Sequence, residues 1–330
     1  MADIALKTVT GTQGATRALK DGDVTPRRFA FEFEEVPGLI PAFRRMVRGL
    51  EFDVCEMAFT TYLCAKAFGK PFTALPIFLV RAFHHGAIVR GGASAARTPK
   101  DLEGRQVGVN RGYTVTTGVW ARGILQDEYG VDLSRITWVL SGDEHVAEYR
   151  PPANVVPLAP GGDLAEQVRA GDLAAGIGLN ADRPGHLAAG SGADRPSRLE
   201  TLIPAAEEAG FDALRSHGLY PINHLVVIKD DLLAAHPGLA ADVFWAFAEA
   251  KRRYVDRLTR EEADPQDQTT DQMYRRVMAI TGHDPLPYGI EPNRAMIELL
   301  IRHAVSQRIL NAPAPAVETL FAEGTRDLAA

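Results

Sequence analysis

The stretch TPKDLEGRQVGVNRGYTVTTGVWARGILQDEYG, residues 98–130, decides the fold predicted for this chain. A short helix leads through Gly104 into a strand over QVGVN, residues 106–110, and a loop then precedes a helix over residues 114–129. Free backbone N–H groups at the start of such a helix can bind an anion without any charged side chain. The stretch therefore predicts a strand, loop and helix that together hold a carboxylate.

Short apolar runs alternate with helical patterns on both sides of this stretch. Residues 4–9, 29–36 and 52–58 are predicted strands, and a strand over residues 222–228 precedes a long helix with apolar positions at helical spacing. Alternation of this kind is typical of sheets covered by helices, so the α/β class is predicted. At 330 residues the chain exceeds the usual size of one hydrophobic core, so we expect two units.

The charge balance and the cysteines argue against several classes of function. The formal net charge is −6, whereas nucleic-acid affinity comes largely from Lys and Arg, so no nucleic-acid partner is expected. Cys55 and Cys64 lie outside any metal-ligand spacing, and we expect both to be reduced and buried.

The hydropathy pattern argues against a membrane partner. Apolar runs are interrupted by charges or Pro well before the ~18 residues that a transmembrane helix needs. Residues 1–22 lack the basic segment, the apolar segment and the small-residue cleavage site of a signal peptide, so a cytoplasmic location is expected.

Two segments resemble the type II periplasmic-binding-protein architecture: TPKDLEGRQVGVN, residues 98–110, and YPINHLVVIKDDLLAAHP, residues 220–237. Four more segments narrow the resemblance: FDVCEMAFTTYL (52–63), RAFHHGAIVR (81–90), GVWARGILQDEYGV (118–131) and YGIEPNR (288–294). Taken together, the segments resemble the 4,5-dihydroxyphthalate decarboxylase family from about residue 10 to residue 305.

The resemblance implies a two-lobed α/β fold of the periplasmic-binding-protein type II kind, with a ligand cleft between the lobes. Lobe one would combine residues 1–87 with 220–330, and lobe two would be residues 88–219. The resemblance also implies a decarboxylase that converts a dihydroxylated aromatic dicarboxylic acid, such as 4,5-dihydroxyphthalate, into 3,4-dihydroxybenzoate and CO2. A small anionic aromatic substrate is then the expected partner, and a homo-oligomer is left open.

A substrate with two adjacent carboxylates needs positive charge and hydrogen-bond donors. Arg81 is the predicted clamp, because a planar guanidinium meets a carboxylate with two hydrogen bonds. The other predicted binding residues are polar and lie near helix or strand ends: Thr60, Thr61, Arg111, Thr114, Thr116, Thr117 and Asn180. The alternative interpretation is structural, with Thr116 as a helix cap and Arg81 in a surface ion pair.

Loss of CO2 from an aromatic ring needs a proton donor for the ring carbon and a base for the catechol. His85 and His224 are the predicted donors, since histidine changes its charge near neutral pH and both residues lie in predicted crossings between lobes. Glu56, in an apolar run typical of a strand, is predicted to accept a catechol proton or to pair with Arg81. Structural histidines and a structural ion pair stay open as alternatives.

No cofactor motif accompanies these residues. The sequence has no P-loop, GGASAA at residues 91–96 is not a dinucleotide fingerprint, and no His and carboxylate spacing forms a catalytic metal motif. We therefore expect no cofactor and no tightly bound metal. The alternative function is a non-catalytic solute-binding protein for a small aromatic or aliphatic carboxylate, and a third is a related enzyme that acts on another acid.

Overall fold

The structure is a computed structural model that describes residues 4–182, 198–260 and 268–330. The strands in chain order are β1 (Ile4–Val9), β2 (Phe29–Phe33), β3 (Val54–Ala58), β4 (Phe72–Arg81), β5 (Ile88–Gly91), β6 (Gln106–Val109), β7 (Thr137–Leu140), β8 (Val155–Pro157), β9 (Ala175–Ile177), β10 (Leu199–Thr201) and β11 (Ile222–Lys229). The α-helices in chain order are α1 (Gly14–Lys20), α2 (Leu39–Gly49), α3 (Phe59–Ala67), α4 (Thr116–Asp127), α5 (Leu164–Ala170), α6 (Ala206–His217), α7 (Asp230–Ala235), α8 (Leu239–Thr259), α9 (Gln268–Thr281) and α10 (Arg294–Ser306). Among these described helices, none combines the length and the apolar character needed to cross a lipid bilayer.

The first of two units consists of the chain up to Arg81, of Ile222–Ile301 and of Ala312–Ala330. Its sheet has the strand order β2-β1-β3-β11-β4. Strand β1 runs parallel to β2 and β3, whereas β11 is antiparallel to β3 and β4. A strand from late in the chain therefore lies between two early strands.

Two interior strands of this sheet, β3 and β11, are largely buried on both faces. Every residue of Val54–Ala58 is buried, as is typical of a strand covered on both faces. The long helix α8 packs Val243, Phe244 and Phe247 into one core with Leu6 of β1. Positions three and four residues apart share one helix face, so these apolar side chains form the face that covers the sheet.

The second unit consists of Ala82–Pro221 and Arg302–Asn311, and its sheet has the order β10-β5-β9-β6-β7-β8. Strand β6 is parallel to β7 and β9, and β7 is parallel to β8, whereas β5 is antiparallel to its neighbours. Helix α5 packs so closely that a Cβ at Gly91 would lie 2.2 Å from the carbonyl oxygen of Val168. The loops after β6, β7 and β9 meet at one edge because these parallel strands end there.

Most of the predicted elements are present, and several have shorter bounds. The strand over residues 4–9 is confirmed, and the helix predicted over residues 114–129 is observed as Thr116–Asp127. Cys55 and Cys64 are buried free thiols, as expected.

The two units follow the predicted lobes with shifted boundaries. The chain leaves the first unit after Arg81, earlier than the predicted boundary after residue 87, and returns after Pro221, close to the predicted boundary after residue 219. Residues 302–311, predicted in lobe one, belong to the second unit. The contacts of His303 explain this assignment. Its ring lies edge-on to the ring of buried Trp120, with centroids 5.6 Å apart.

Protonation of His303 is expected to lower the free energy of unfolding. A Cβ at Gly123 would lie 2.5 Å from Nε2 of His303, so the imidazole fills space that only glycine leaves open. Burial lowers the pKa of His303 to about 4; Asp127 opposes this shift and Arg302 adds to it.

Because the folded chain binds this proton less tightly than the unfolded chain does, the contribution of neutral His303 is fully present above pH ~6.5 and is lost as pH falls towards 4. The expected loss of unfolding free energy is on the order of 3 kcal/mol. Urea unfolding at pH 7 and pH 4.5, followed by tryptophan fluorescence, measures it. His303→Gln should remove this part of the pH dependence, and a variant that keeps the full dependence would contradict the assignment.

Candidate functional site

A buried carboxylate and an imidazole meet on the sheet of the first unit. Glu56 of β3 is fully buried, and its Oε1 lies 2.6 Å from Nδ1 of His224 on β11. The N–H of Gly11 donates to Oε2 at 2.8 Å. An ionised carboxylate only accepts hydrogen bonds, so Nδ1 of His224 is the donor to ionised Glu56. Together the two donors offset the cost of burying the carboxylate.

The strand register produces this contact. Strand β11 pairs with β3 so that His224 stands opposite Ala58 and Val226 stands opposite Glu56. Side chains two residues apart on a strand point to the same face, which makes His224 and Glu56 diagonal neighbours on one face. The Phe43 ring of α2 lies edge-on to the imidazole at 5.2 Å between centroids and restricts its rotation.

The second nitrogen of His224 is open. With Nδ1 directed at Glu56, Nε2 has no hydrogen-bond partner in the described part of the chain, and the side chain is 23% exposed. A carboxylate on one ring nitrogen fixes the tautomer and leaves the other nitrogen available for proton transfer. The Glu56–His224 pair can therefore act as an oriented acid–base group.

Arg81 lies in the same sheet and has a different partner from the predicted one. It ends β4 opposite Ile222 of β11 and is only 3% exposed, so it is not in a surface ion pair. Its guanidinium donates to the side-chain oxygen of Asn293. The predicted Glu56–Arg81 pair is wrong, because Glu56 is paired with His224.

Thr60 and Thr61 lie in the first turn of α3, directly after β3, and both are fully buried. The last residue of β3, Ala58, stands opposite His224. Because β11 is antiparallel to β3 and β4, its first residues lie beside the last residues of those two strands, at the same end of the sheet. The predicted residues Glu56, Thr60, Thr61, Arg81 and His224 are thus brought to one region of the first unit.

The second unit gathers other predicted residues at the carboxyl edge of its parallel strands. Asn110, which follows β6, donates through its side chain to the carbonyl oxygen of Gly178 at 2.9 Å. The N–H of Arg111 donates to the hydroxyl of Ser141 at 2.8 Å, and Arg111 has a positive φ of 74°. Asn180 is exposed in the segment after β9. These contacts tie the loops after β6, β7 and β9 together.

The loop before α4 binds a carboxylate of the chain itself. The N–H of Tyr113 donates to one oxygen of Glu144, while the N–H and the hydroxyl of Thr114 donate to the other at 3.1 and 2.6 Å. A Cβ at Gly112 would lie 2.6 Å from that second oxygen, so glycine permits the approach. We name Gly112, Tyr113 and Thr114 the carboxylate cradle. The hydroxyl of Thr114, predicted to bind substrate, donates to Glu144.

Thr116 and Thr117 follow the carboxylate cradle and open helix α4. Thr116 is buried and Thr117 is partly exposed. The residue that precedes the helix is Val115, and no side chain caps the helix there. The interpretation of Thr116 as the helix cap is therefore wrong.

Arg122 lies fully buried against the carboxylate cradle. Its Nη2 donates to the carbonyl oxygen of Tyr113 at 2.6 Å, and its Nε donates to Oε1 of Gln307 at 2.7 Å. The guanidinium carbon lies 3.9 Å from the centroid of the Tyr113 ring, and Nη1 has no hydrogen-bond partner among the described residues. Burial lowers the pKa of Arg122, and Tyr113, Tyr149 and Glu144 oppose the shift.

His85 lies at the opposite end of α4. Its Nε2 is 3.0 Å from a carboxylate oxygen of Glu128, which directly follows the helix, and the imidazole is fully buried. The 12 residues of α4 correspond to about 18 Å of helix. His85 and the carboxylate cradle therefore lie near opposite ends of α4.

The charged residues of these sites that escaped the sequence prediction include Arg122, Glu128 and Glu144. Arg122 is the only charged residue in the apolar segment GVWARGIL, and a charge on a buried helix face needs a compensating partner. The sequence therefore held a signal that could have identified Arg122 as a site residue. Glu144 lies in a loop without periodicity, where the sequence offers no comparable signal.

Potential metal ligands are not grouped in the described ranges. No set of three or more His, Cys, Asp or Glu side chains is arranged to hold a metal ion within residues 4–182, 198–260 and 268–330.

Comparison with known proteins defines the class of fold and then the family. No family model matches the chain. The periplasmic aliphatic sulphonate binding protein SsuA from Escherichia coli superposes with a TM-score of 0.50 at 12% identity, over 98% of this chain and 97% of that one. The fold is thus that of the periplasmic binding proteins.

Two relatives carry the same description, 4,5-dihydroxyphthalate decarboxylase. The protein from Comamonas testosteroni is 27% identical over 320 residues, which cover 90% of each chain. The protein from Pseudomonas putida is 30% identical over 198 residues, which cover 55% of this chain and 72% of the relative. The chain belongs to the 4,5-dihydroxyphthalate decarboxylase family.

Proposed function

We propose that the chain is a carboxy-lyase that removes one carboxylate as CO2 from a dihydroxylated aromatic dicarboxylic acid, with 4,5-dihydroxyphthalate as substrate and 3,4-dihydroxybenzoate as product. The observation that carries the proposal is the buried Glu56–His224 pair with its open Nε2. The names of the two relatives support the substrate class.

The reaction exchanges a carboxylate for a proton on one ring carbon. Electron release from the hydroxyl para to that carbon lets the carbon accept a proton, and the bond to the carboxylate then breaks. The electron pair of that bond restores the aromatic ring, and CO2 leaves. One proton enters the ring for each CO2 released, so the site needs a proton donor that water then reprotonates.

His224 supplies the proton in this proposal. Protonated His224 presents an N–H at Nε2, while Nδ1–H remains bonded to Glu56 at 2.6 Å. The negative charge of Glu56 stabilises the imidazolium, and the Phe43 ring holds its plane. After the transfer, neutral His224 takes up a proton from water at the same nitrogen, because the reaction consumes one proton for each CO2 released.

Glu56 is a positioning residue here and not the direct base for the catechol. It is fully buried, and its two oxygens accept hydrogen bonds from His224 and Gly11. A carboxylate held in this way orients the imidazole, as the third member of a catalytic triad does.

Arg81 is proposed to bind one substrate carboxylate. Arg81→Met is expected to weaken the affinity for phthalate, a dicarboxylate without the hydroxyls, by about tenfold or more, because a charge-assisted hydrogen bond is lost. Isothermal titration calorimetry measures the change. Arg105→Met, which removes an exposed arginine of the second unit, is the control. Unchanged affinity in Arg81→Met would leave Arg81 as the structural partner of Asn293.

The test of the function is an incubation with 4,5-dihydroxyphthalate, with and without chelator, followed by measurement of CO2 and 3,4-dihydroxybenzoate. Equal amounts of the two products are expected, and the His224→Gln chain should form both about 10²-fold or more slowly at the same protein concentration. Binding of the acid without CO2 release would refute the proposal and favour the solute-binding alternative. Loss of turnover with chelator alone would add a metal to the mechanism.

A further inference from the structure

The carboxylate cradle of the second unit is a complete binding site with an occupant from its own chain. Two backbone N–H groups and one hydroxyl converge on Glu144, and each carboxylate oxygen accepts at least one hydrogen bond. None of these donors is specific to glutamate, because each one recognises the carboxylate group alone. The same geometry fits the carboxylate of a small ligand.

Arg122 gives this site a buried positive charge. The guanidinium is fully buried, and no Asp or Glu forms an ion pair with it in the described ranges. An uncompensated buried charge is costly, so a nearby anion stabilises it. Its unpartnered Nη1 points at the first turn of α4, where a Cβ at Gly118 would lie 3.1 Å away.

One peptide group connects Arg122 to the bound carboxylate. Arg122 donates to the carbonyl oxygen of Tyr113, and the N–H of the same peptide, which belongs to Thr114, donates to Glu144. In a trans peptide the C=O and the N–H point in opposite directions. A cation at the oxygen polarises the group and strengthens the hydrogen bond at the N–H. Arg122 thus favours a carboxylate in the cradle without contacting it.

Glu144 is suited to leave this site. It lies in the loop of residues 141–154, which contains no helix or strand, and its side chain is partly exposed. Loops of this length without secondary structure are uncommon inside compact domains and are usually functional. The donors of the cradle belong to the segment between β6 and α4, whereas Glu144 belongs to that loop.

We propose that Glu144 is an exchangeable occupant of the carboxylate cradle, and that a small carboxylate ligand displaces it and takes its hydrogen bonds. The inference rests on the proposed function in one respect only, namely that the ligand carries a carboxylate. Removing the charge of Glu144 removes a competitor, so a free carboxylate binds more tightly to the variant chain.

The experiment compares phthalate affinity by calorimetry in the unmodified chain, Glu144→Gln and Glu144→Ala. We expect the dissociation constant to fall by about tenfold or more in both variants, since the competing charge-assisted bonds are gone. Glu148→Gln is the matched control, because Glu148 is an exposed carboxylate of the same loop. It should bind phthalate as the unmodified chain does.

A second arm uses formate and does not depend on the substrate. Formate should raise the melting temperature of Glu144→Ala with saturation, because it fills the vacated cradle, and should leave the unmodified chain unchanged. If phthalate binds none of the chains, the formate titration decides: a saturable response supports the inference, and no response overturns it.

Phthalate binding that is equal or weaker in both Glu144 variants would overturn the inference and leave Glu144 as a clamp for its loop. The same change in Glu148→Gln as in Glu144→Gln would also overturn it, because loop charge and not the cradle would then be responsible. Failure of the proposed function looks different, since the unmodified chain would release no CO2 while the formate response remained.

Discussion

His224→Gln is expected to lower kcat for CO2 release by about 10²- to 10⁴-fold, with little change in the dissociation constant for phthalate. The glutamine side chain can still donate to Glu56 but carries no proton that it can give to a ring carbon. Single-turnover measurements with 4,5-dihydroxyphthalate separate the chemical step from binding and product release.

The matched control for this prediction is His85→Gln. Both imidazoles contact a glutamate, at 2.6 Å in the Glu56–His224 pair and 3.0 Å in the Glu128–His85 pair. Only His224 has an open nitrogen on a partly exposed side chain. His85→Gln should therefore keep its turnover, and a His85→Gln chain as slow as His224→Gln would contradict the assignment.

The double variant tests the positioning role of Glu56. Residues that act as one unit have strongly non-additive effects on rate. Glu56→Gln in the His224→Gln background should lower kcat no further, whereas Glu56→Gln alone should lower it. Additive losses would indicate that Glu56 acts on the substrate independently of His224.

Arg122→Met is expected to lower the free energy of unfolding by about 3 kcal/mol. The carbonyl of Tyr113 and the amide oxygen of Gln307 each lose a donor in a buried place, which costs about 1–3 kcal/mol per group. Removal of a buried charge offsets part of this loss, and lost contact with the Tyr113 ring adds to it. Urea unfolding measures the sum.

Gln307→Leu provides the second half of a mutant cycle. If the two residues stabilise the unit through their shared hydrogen bond, Arg122→Met and Gln307→Leu together should cost less than the sum of the single effects. Arg105→Met is the control at an exposed position. Unchanged or increased stability in Arg122→Met would mean that desolvation of the guanidinium outweighs its hydrogen bonds.

The sequence predicted the local elements of these sites better than the contacts within them. The strand, loop and helix of residues 98–130 were recognisable because glycines and apolar runs mark them. Glu56 and His224 could be picked out because each is a polar residue within an apolar strand pattern. Their contact was not predictable, because it depends on the register of β11 beside β3, across 168 residues of chain.

The carboxylate cradle was also predicted only in part from the sequence. The sequence predicted that backbone N–H groups at the start of helix α4 bind a substrate carboxylate, and those of Tyr113 and Thr114, just before this helix, bind Glu144 instead. Its occupant, Glu144, was not predicted, since a glutamate in a loop has no periodic pattern and its partner is set by the tertiary fold. The predicted contact between Arg81 and Glu56 was wrong for a similar reason, because the observed partner of Arg81, Asn293, comes from a distant segment of the chain.

The interleaved order of the two units has a consequence for synthesis of the chain. Strand β11 completes the first sheet only after the whole of Ala82–Pro221 has been made, and the second unit receives Gln307 and His303 later still, from Arg302–Asn311. Contacts between residues so far apart in sequence form slowly. During synthesis, the contact between Glu56 and His224 therefore cannot form before β11 has been made, and the contact between Arg122 and Gln307 forms later still. A nascent chain that ends before β11 lacks the acid–base pair.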